Sequence, residues 1–394
     1  MKRKIIVWFA IILLVVFDAS MIYGYWASSI NGTSISLAAS IPIGTWNQLS
    51  EDETLVDENV LVELLSGELE TTEEDVLVLH QDIDLSNEEV NVFEPIVDFN
   101  ATIEGNGHTI SGFKIEESAS SDSINDYDMT SIFLHNSGQI NDLVVEDVNI
   151  VITDDTWVNN SDKVSVSAVL VGENEGVIKN AEVKKSKITV ESIAYASRRG
   201  YSESYAAAAG LVGLNREDGI IENSYAQVDV VFNVSSYAYN RASAQTYVYA
   251  GGLVAQNEGE INHCYASGDV TTNISTFGNS YHSSTLRMGG LVGYQLGTIE
   301  NSFAAGNLEL NGSADEIYFG HVYGQSVYYA TENNLYAVND QTFSGLIGTP
   351  EDENYVIKVE KINLQSKTYL SSNLGFDFES IWIEKENDYP VLQS

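Results

Sequence analysis

Asp229 and Asp269 occupy matching places in two successive copies of one repeated phrase, so a fold that stacks the copies brings their carboxylates together. Two carboxylates at a fixed separation are the minimum equipment for cleaving a glycosidic bond. Asp154 and Asp155 make a second acidic pair. In so acidic a chain, outward turn carboxylates are the competing reading. Other catalytic signatures are missing. His80, His108, His135, His263, His282 and His321 show no metal-ligand spacing. No G-x-S-x-G elbow occurs, and Gly105-Asn106-Gly107 lacks the following helix that a phosphate loop needs. Cys264 is the sole cysteine and stands where sister copies carry Ser224 and Ser302, which reads as a small core or turn residue. The expectation is therefore no catalytic set, no metal site and no cofactor. The acidic clusters Glu51-Asp52-Glu53, Glu73-Glu74-Asp75 and Asp154-Asp155 offer the hard oxygen ligands that Ca²⁺ takes, but none has calcium-loop spacing.

The residues better suited to binding are tyrosines. Tyr195, Tyr201, Tyr205, Tyr237, Tyr239, Tyr247, Tyr249 and Tyr281 fall in three long insertions, each an alternating run, a polar break and a second alternating run. Each insertion reads as a β-hairpin arm leaving the same corner of a repeat. Stacked arms would pair into an antiparallel sheet and gather the tyrosines on one side, for stacking on sugar rings or contact with a partner protein. Cross-strand pairs that hold the arms together are the alternative role.

What positions these residues is the repeat. Copies read LVGENEGVIKNA from Leu170, LVGLNREDGIIENSYA from Leu211, LVAQNEGEINHCYASGDV from Leu253 and LVGYQLGTIENSFAAGNL from Leu291, with a weaker one from Ile132. Ile140, Ile178, Ile221, Ile261 and Ile299 mark steps of 38, 43, 40 and 38 residues. Short Val/Ile/Thr/Tyr runs, plentiful Gly and Asn and only 4 prolines point to an all-β chain. Each copy makes three short strands, one coil of a parallel β-helix, with Leu170, Leu211, Leu253 and Leu291 in equal rungs. Asn180, Asn223, Asn301 and Asn334 recur at one bend, with Asp142 and His263 replacing Asn in two copies. They are expected to form an amide ladder that satisfies bend carbonyls.

The expected organisation is a signal peptide or N-terminal anchor at 1–27, an export-associated linker at 28–45, an N-terminal cap with a short amphipathic helix at 46–75, the β-helix at 76–340 and a C-terminal cap at 341–394. The basic start and the apolar run Ile5–Phe17 carry the first assignment. A net charge of −39 argues against nucleic acid and anionic lipid as partners. Contact with a membrane would come only through an uncleaved N-terminal segment.

The repeats resemble the GLUG motif family, GGLVGYQLGTIENSFAAGNL most of all. The resemblance spans about 200 residues and implies a right-handed parallel β-helix outside the cell. The phrase around Gly105-Asn106-Gly107 resembles the first rungs of such helices. Tyr25, Trp26, Ala27, Ile41, Ile43, Gly44 and Trp46 resemble the start of exported Gram-positive proteins that use an atypical signal peptidase. GLUG repeats also occur in the non-catalytic part of immunoglobulin-A-cleaving metallopeptidases. This sequence contains no H-E-x-x-H, so that activity does not carry over. It also shows neither L-P-x-T-G nor an apolar tail. The expected function is an exported, surface-associated or secreted interaction protein, adhesin-like or a matrix component, binding glycan or protein. The alternative is a carbohydrate-active β-helix lyase or hydrolase with clustered carboxylates.

Overall fold

A computed structural model describes residues 53–57, 61, 71–86, 95–118, 125–153, 162–346 and 349–393. The chain divides into units 1–54 and 55–394, and the stacked coils belong to the second. The export segment, the linker, Asp154 and Asp155 lie outside the described residues. So does most of the expected amphipathic helix; Glu53–Val56, within its span, is a β-strand.

Coils stack in parallel through four sheets. One copy shows the plan. Val212–Asn215, Ile220–Glu222, Tyr225–Tyr239 and Ser243–Gly251 follow in order, one in each sheet. The copies meet in the register that the repeat predicts: Ile140 faces Ile178, then Ile221, Ile261 and Ile299. Leu170, Leu211, Leu253 and Leu291 are fully buried. The Leu211 N–H donates to the Leu253 carbonyl at 3.0 Å, and the Leu253 N–H to the Leu291 carbonyl at 2.9 Å, so these are neighbouring rungs. Identical apolar side chains in equal rungs pack as columns, and the columns are the core.

The glycine of the LVG phrase has a steric reason. A Cβ on Gly213 would sit 2.5 Å from Val166 Cγ1, and one on Gly172 would sit 2.4 Å from Met129 Sδ. The strand returning from the previous coil's insertion lies directly on this backbone, and a side chain here would lift it off.

The insertions are not antiparallel hairpins. Glu182–Ser197 pairs in parallel with Tyr225–Tyr239, while Tyr201–Ala209 pairs in parallel with Ser243–Gly251 in a different sheet. Out-going and returning strands share only a tight turn, closed by Gly200 N–H to Ser197 O at 2.9 Å, with Arg198 and Arg199 at φ 54° and 66°. The two sheets then face each other. Stacking on the next coil occupies the backbone groups that a hairpin would have used. Small inward side chains make the approach close enough. Ala194, Ala196, Ala238, Ala242 and Ala244 form a separate buried cluster. The Ser192 and Ser204 hydroxyls meet across the gap. The arm is a two-layered fin built of coil extensions.

The C-terminal segment closes the stack only in part. Val356–Val359 adds a last rung to Leu335–Val338. Buried Asp352 accepts the N–H groups of His321 (2.9 Å), Val322 (2.6 Å) and Tyr323 (3.2 Å), which have no further strand to meet. The remainder departs from the expected end cap. It folds back along the side as the short helices Lys361–Leu364 and Lys367–Asn373 and the ribbon of Trp382–Ile383 with Val391–Leu392. The attraction is an aromatic column: Tyr225 stacks on Tyr265 at 4.6 Å, and Tyr265 on Phe303 at 4.7 Å. Phe376, Trp382 and Tyr389 cover that column in a cluster of their own. The segment is a lateral strap.

Candidate functional site

The bend asparagines adopt a left-handed backbone. Asn180, Asn223, Asn301 and Asn334 have φ of 52°, 49°, 49° and 57°, and Asp142 and His263 turn the same corner at 51° and 53°. Asn, Asp and His tolerate this region better than most residues. Their side chains form only pieces of a ladder. Asn180 Nδ2 donates to Asp142 Oδ1 at 2.8 Å, and Asn334 Nδ2 to Asn301 Oδ1 at 2.8 Å. Asn301 Nδ2 passes His263 and reaches Asn262 Oδ1 at 2.9 Å.

The continuous ladder is elsewhere. Asn136, Asn174, Asn215, Asn257 and Gln295 end the LVG strands with their side chains buried. Each Nδ2 donates to the next amide oxygen, at 2.7, 2.8, 2.8 and 3.0 Å in turn. The signal was present in the phrases LHN, GEN, GLN, AQN and YQ, four residues after each buried Leu or its equivalent.

The tyrosines divide between the two outer faces of the fin, because alternation turns the small residues inward. Tyr195 and Tyr237 align with Phe277 on one face, beside Tyr239. Tyr237 and Phe277 are parallel at 4.7 Å, an interplanar angle of 12°, so these rings present edges to solvent. Tyr201, Tyr205, Tyr247, Tyr249 and Tyr281 lie on the other face. The single tyrosine surface expected from the sequence is therefore two surfaces. Tyr201 and Tyr281 are well exposed, and the Tyr201 and Tyr247 hydroxyls both donate to Gln245 Oε1, at 3.0 and 3.1 Å.

This second face bends against the outer face of the LVG sheet. Val166, Ala207 and Ala209 from the fin pack with Leu214 and Ala255 from the body, outside the main core. Farther along the same angle lies Arg287, which stands in register with Tyr249. Its guanidinium carbon lies 4.9 Å from the Tyr249 ring centre, 4.6 Å from Tyr294 and 5.4 Å from Tyr318. Its Nε donates to Gln325 Oε1, and Nη1 is buried without a partner. Burial pushes the Tyr249 phenol up, with the Arg287 charge pulling it back down. Sequence reading missed Arg287, Tyr294 and Tyr318. Their positions follow once Tyr249 is aligned copy to copy.

The acidic candidates have structural duties. Asp229 and Asp269 are exposed and stacked; Asp229 Oδ1 accepts the Asp269 N–H at 3.2 Å, and Asp269 Oδ1 accepts the Asn307 N–H at 2.8 Å. Cys264 is buried, and its Sγ donates to the Asn262 carbonyl at 3.2 Å, as the Ser224 and Ser302 hydroxyls donate to Glu222 and Glu300. Burial pushes this thiol up to about 12. Among the described residues, no group of three or more His, Cys, Asp or Glu is placed to hold a metal ion.

The family model of the GLUG motif matches residues 246–271, from the returning strand of one fin through the next LVG-type, Ile and Tyr strands. No curated protein sequence matches the chain. The architecture is similar to a crystal structure described as a "putative immunoglobulin A1 protease from Bacteroides ovatus". The TM-score is 0.50 at 18% identity, over 81% of this chain and 86% of that one. At that identity the likeness is one of fold alone. The chain is thus a parallel β-solenoid carrying the GLUG motif.

Proposed function

We propose that this chain is an exported, surface-associated or secreted interaction protein, adhesin-like or part of an extracellular matrix, and that it engages a glycan or protein partner through the fin. The observation that carries the reading is the Arg287 cluster. An arginine framed by Tyr249, Tyr294 and Tyr318 has no carboxylate partner among the described residues, although the chain bears a net charge of −39. Tyr and Arg dominate the binding energy of protein surfaces, since they supply area and directed donors at low entropic cost. The stacked Asp229 and Asp269 are occupied with backbone N–H groups, which favours a non-catalytic role over a carbohydrate-cleaving one.

The test is retention of the purified chain on immobilised mucin, peptidoglycan and extracellular matrix proteins. Arg287→Gln combined with Tyr318→Ala should abolish retention and leave the circular dichroism unchanged. Tyr237→Ala with Tyr239→Ala, on the opposite face, should leave retention intact. Equal retention by both variants and the parent would remove the fin from the reading.

A further inference from the structure

The outer edge of the fin gathers positive charge in a chain that is otherwise acidic. Arg198, Arg199 and Arg241, half of the six arginines in the sequence, stand at its turns. All three are exposed, and none is ion-paired with a carboxylate among the described residues. Their backbone makes them costly to keep there. Arg198 and Arg199 have φ of 54° and 66°, and Asn240 and Arg241 repeat the turn one coil on at 59° and 65°. Such a turn favours Asn followed by Gly, because a Cβ crowds the backbone at positive φ. Both copies nevertheless place arginine where glycine fits best. Residues kept in a strained conformation point to a requirement other than folding.

Beside these turns runs a column with one small residue between two rings. Tyr201 aligns with Ser243, and Ser243 with Tyr281. Tyr201 is 42% exposed and Tyr281 is 61% exposed. Ser243 is therefore a dip between two ring-bearing rungs that stand two strand spacings, about 10 Å, apart. The Tyr201 hydroxyl is held by Glu203 and Gln245, so that ring is ordered in advance. Arg241 precedes Ser243 by two residues. Arg199 stands over it in the stack, its N–H donating to the Asn240 carbonyl at 3.2 Å. Arg287 lies six residues along the strand from Tyr281, about 20 Å away, so the edge is a separate place.

We infer that the fin edge binds a single sugar ring carrying a carboxylate, the acidic terminus of an otherwise neutral glycan. A guanidinium is a planar fork that meets a carboxylate with two parallel bonds, and arginines on successive rungs can share one such group. The dip at Ser243 takes the ring, with Tyr201 and Tyr281 as rigid amphipathic surfaces for its C–H faces. Charge limits the length of the ligand. The next turn reads Gly278-Asn279-Ser280 and adds no positive group, and a net charge of −39 repels a long polyanion. An acidic peptide meets the same repulsion with every further carboxylate and lacks the saturated ring that the dip accommodates. The site does not rest on the Arg287 cluster.

The experiment is saturation-transfer NMR on the full chain with methyl β-glucuronide, the methyl α-glycoside of N-acetylneuraminic acid, methyl β-glucoside and the peptide acetyl-Glu-Gly-Glu amide as probes. At least one of the two sugar acids should receive saturation, and which one does separates a uronate from a sialate source. The neutral glucoside should receive far less. Arg199→Gly combined with Arg241→Gly removes the forks and should weaken binding of the acid about tenfold, the loss of a charge-assisted bond. The melting temperature of that variant should stay the same or rise, since glycine suits the turn. Ser243→Phe fills the dip, keeps the arginines and should weaken binding as well. Arg287→Gln should leave it unchanged. The proposal is overturned if neither acid receives saturation, if the glucoside or the peptide receives as much as the better acid, if either edge variant binds like the parent, or if binding is lost in Arg287→Gln. If neither acid binds while retention through the Arg287 cluster persists, the edge proposal falls and the proposed function stands.

Discussion

Asn215→Ala should be among the most damaging single truncations of a polar side chain in this fold, and the ladder sets its size. Asn215 is fully buried. Its oxygen accepts from Asn174 at 2.8 Å, and its Nδ2 donates to Asn257 Oδ1 at 2.8 Å and to the Gly219 carbonyl at 3.1 Å. Truncation removes three bonds, but the neighbours fare differently. Asn174 Nδ2 keeps the Gly176 carbonyl at 3.2 Å, and the Gly219 carbonyl keeps the Glu260 N–H at 2.9 Å. Asn257 Oδ1 loses its donor and stays buried. One orphaned acceptor at about 1–3 kcal/mol, with two further bonds at about 1 kcal/mol each, gives a loss of about 3–5 kcal/mol. Asn136→Ala is the internal control. Asn136 opens the ladder, with Phe99 in register before it, and its own Oδ1 already lacks a partner. Its truncation breaks one bond and orphans Asn174 Oδ1, but it also removes the orphan already present at Asn136 Oδ1, so the two orphan costs offset and the net loss is about 1 kcal/mol. Urea unfolding followed by circular dichroism compares the two, and amide exchange tests whether the loss centres on rungs next to residue 215. Equal midpoints for the two variants, or an unchanged midpoint for Asn215→Ala, would refute a cooperative buried ladder.

Three further outcomes are expected. Asn223→Ala should cost about 1 kcal/mol while Asn223→Gly is close to neutral, because φ of 49° is what the bend needs; equal urea midpoints for the two would contradict this. Gly213→Ala places a Cβ 2.5 Å from Val166 Cγ1 and 2.7 Å from the Gly172 carbonyl oxygen, so stability should fall by about 1–3 kcal/mol in the same assay. Burial raises the phenols of Tyr225 and Tyr265 in the folded state, foremost by desolvation. The folded chain then holds protons that an unfolded one releases near pH 10, so this contribution is complete below pH 10 and is lost as pH rises. The loss per phenol rises toward about 1.4 kcal/mol per pH unit above pH 11 and is about 1 kcal/mol between pH 10 and 11, where the unfolded phenol is only part ionised, so the pair should remove about 2 kcal/mol over that unit. Absorbance at 295 nm during an alkaline titration should show these two ionising only with unfolding; early, reversible ionisation of every tyrosine would count against it.

The parts of the fold legible in the sequence are those where stacking demands the same residue in every coil. Ile140 through Ile299 and the LVG leucines face one another across parallel ladders, and a column tolerates little variation. The fin was harder, because alternation reports which side a residue faces and not which strand lies beside it. Ala194 and Ala196 inward with Tyr195 outward suits a hairpin or a two-layered extension equally. The Arg287 cluster was hidden because its column changes chemistry at each rung, from Ala207 to Tyr249 to Arg287 to Tyr318. The strap was hidden because nothing in Phe376, Trp382 and Tyr389 states which face they will cover.

Asp352 touches only the final rung, where its carboxylate stands in for the strand that would come next. Termination is thus written into one short segment and is independent of how many coils precede it. A copy such as Leu253–Gly290 begins and ends at equivalent points of the coil, so it behaves as a cassette. Duplicating it in frame would lengthen the rod by one strand spacing, about 4.8 Å, and add one row to the fin. The Asp352 stopper would be left in place. The length of such a molecule is set by copy number, a quantity that the gain or loss of one repeat changes in a single event.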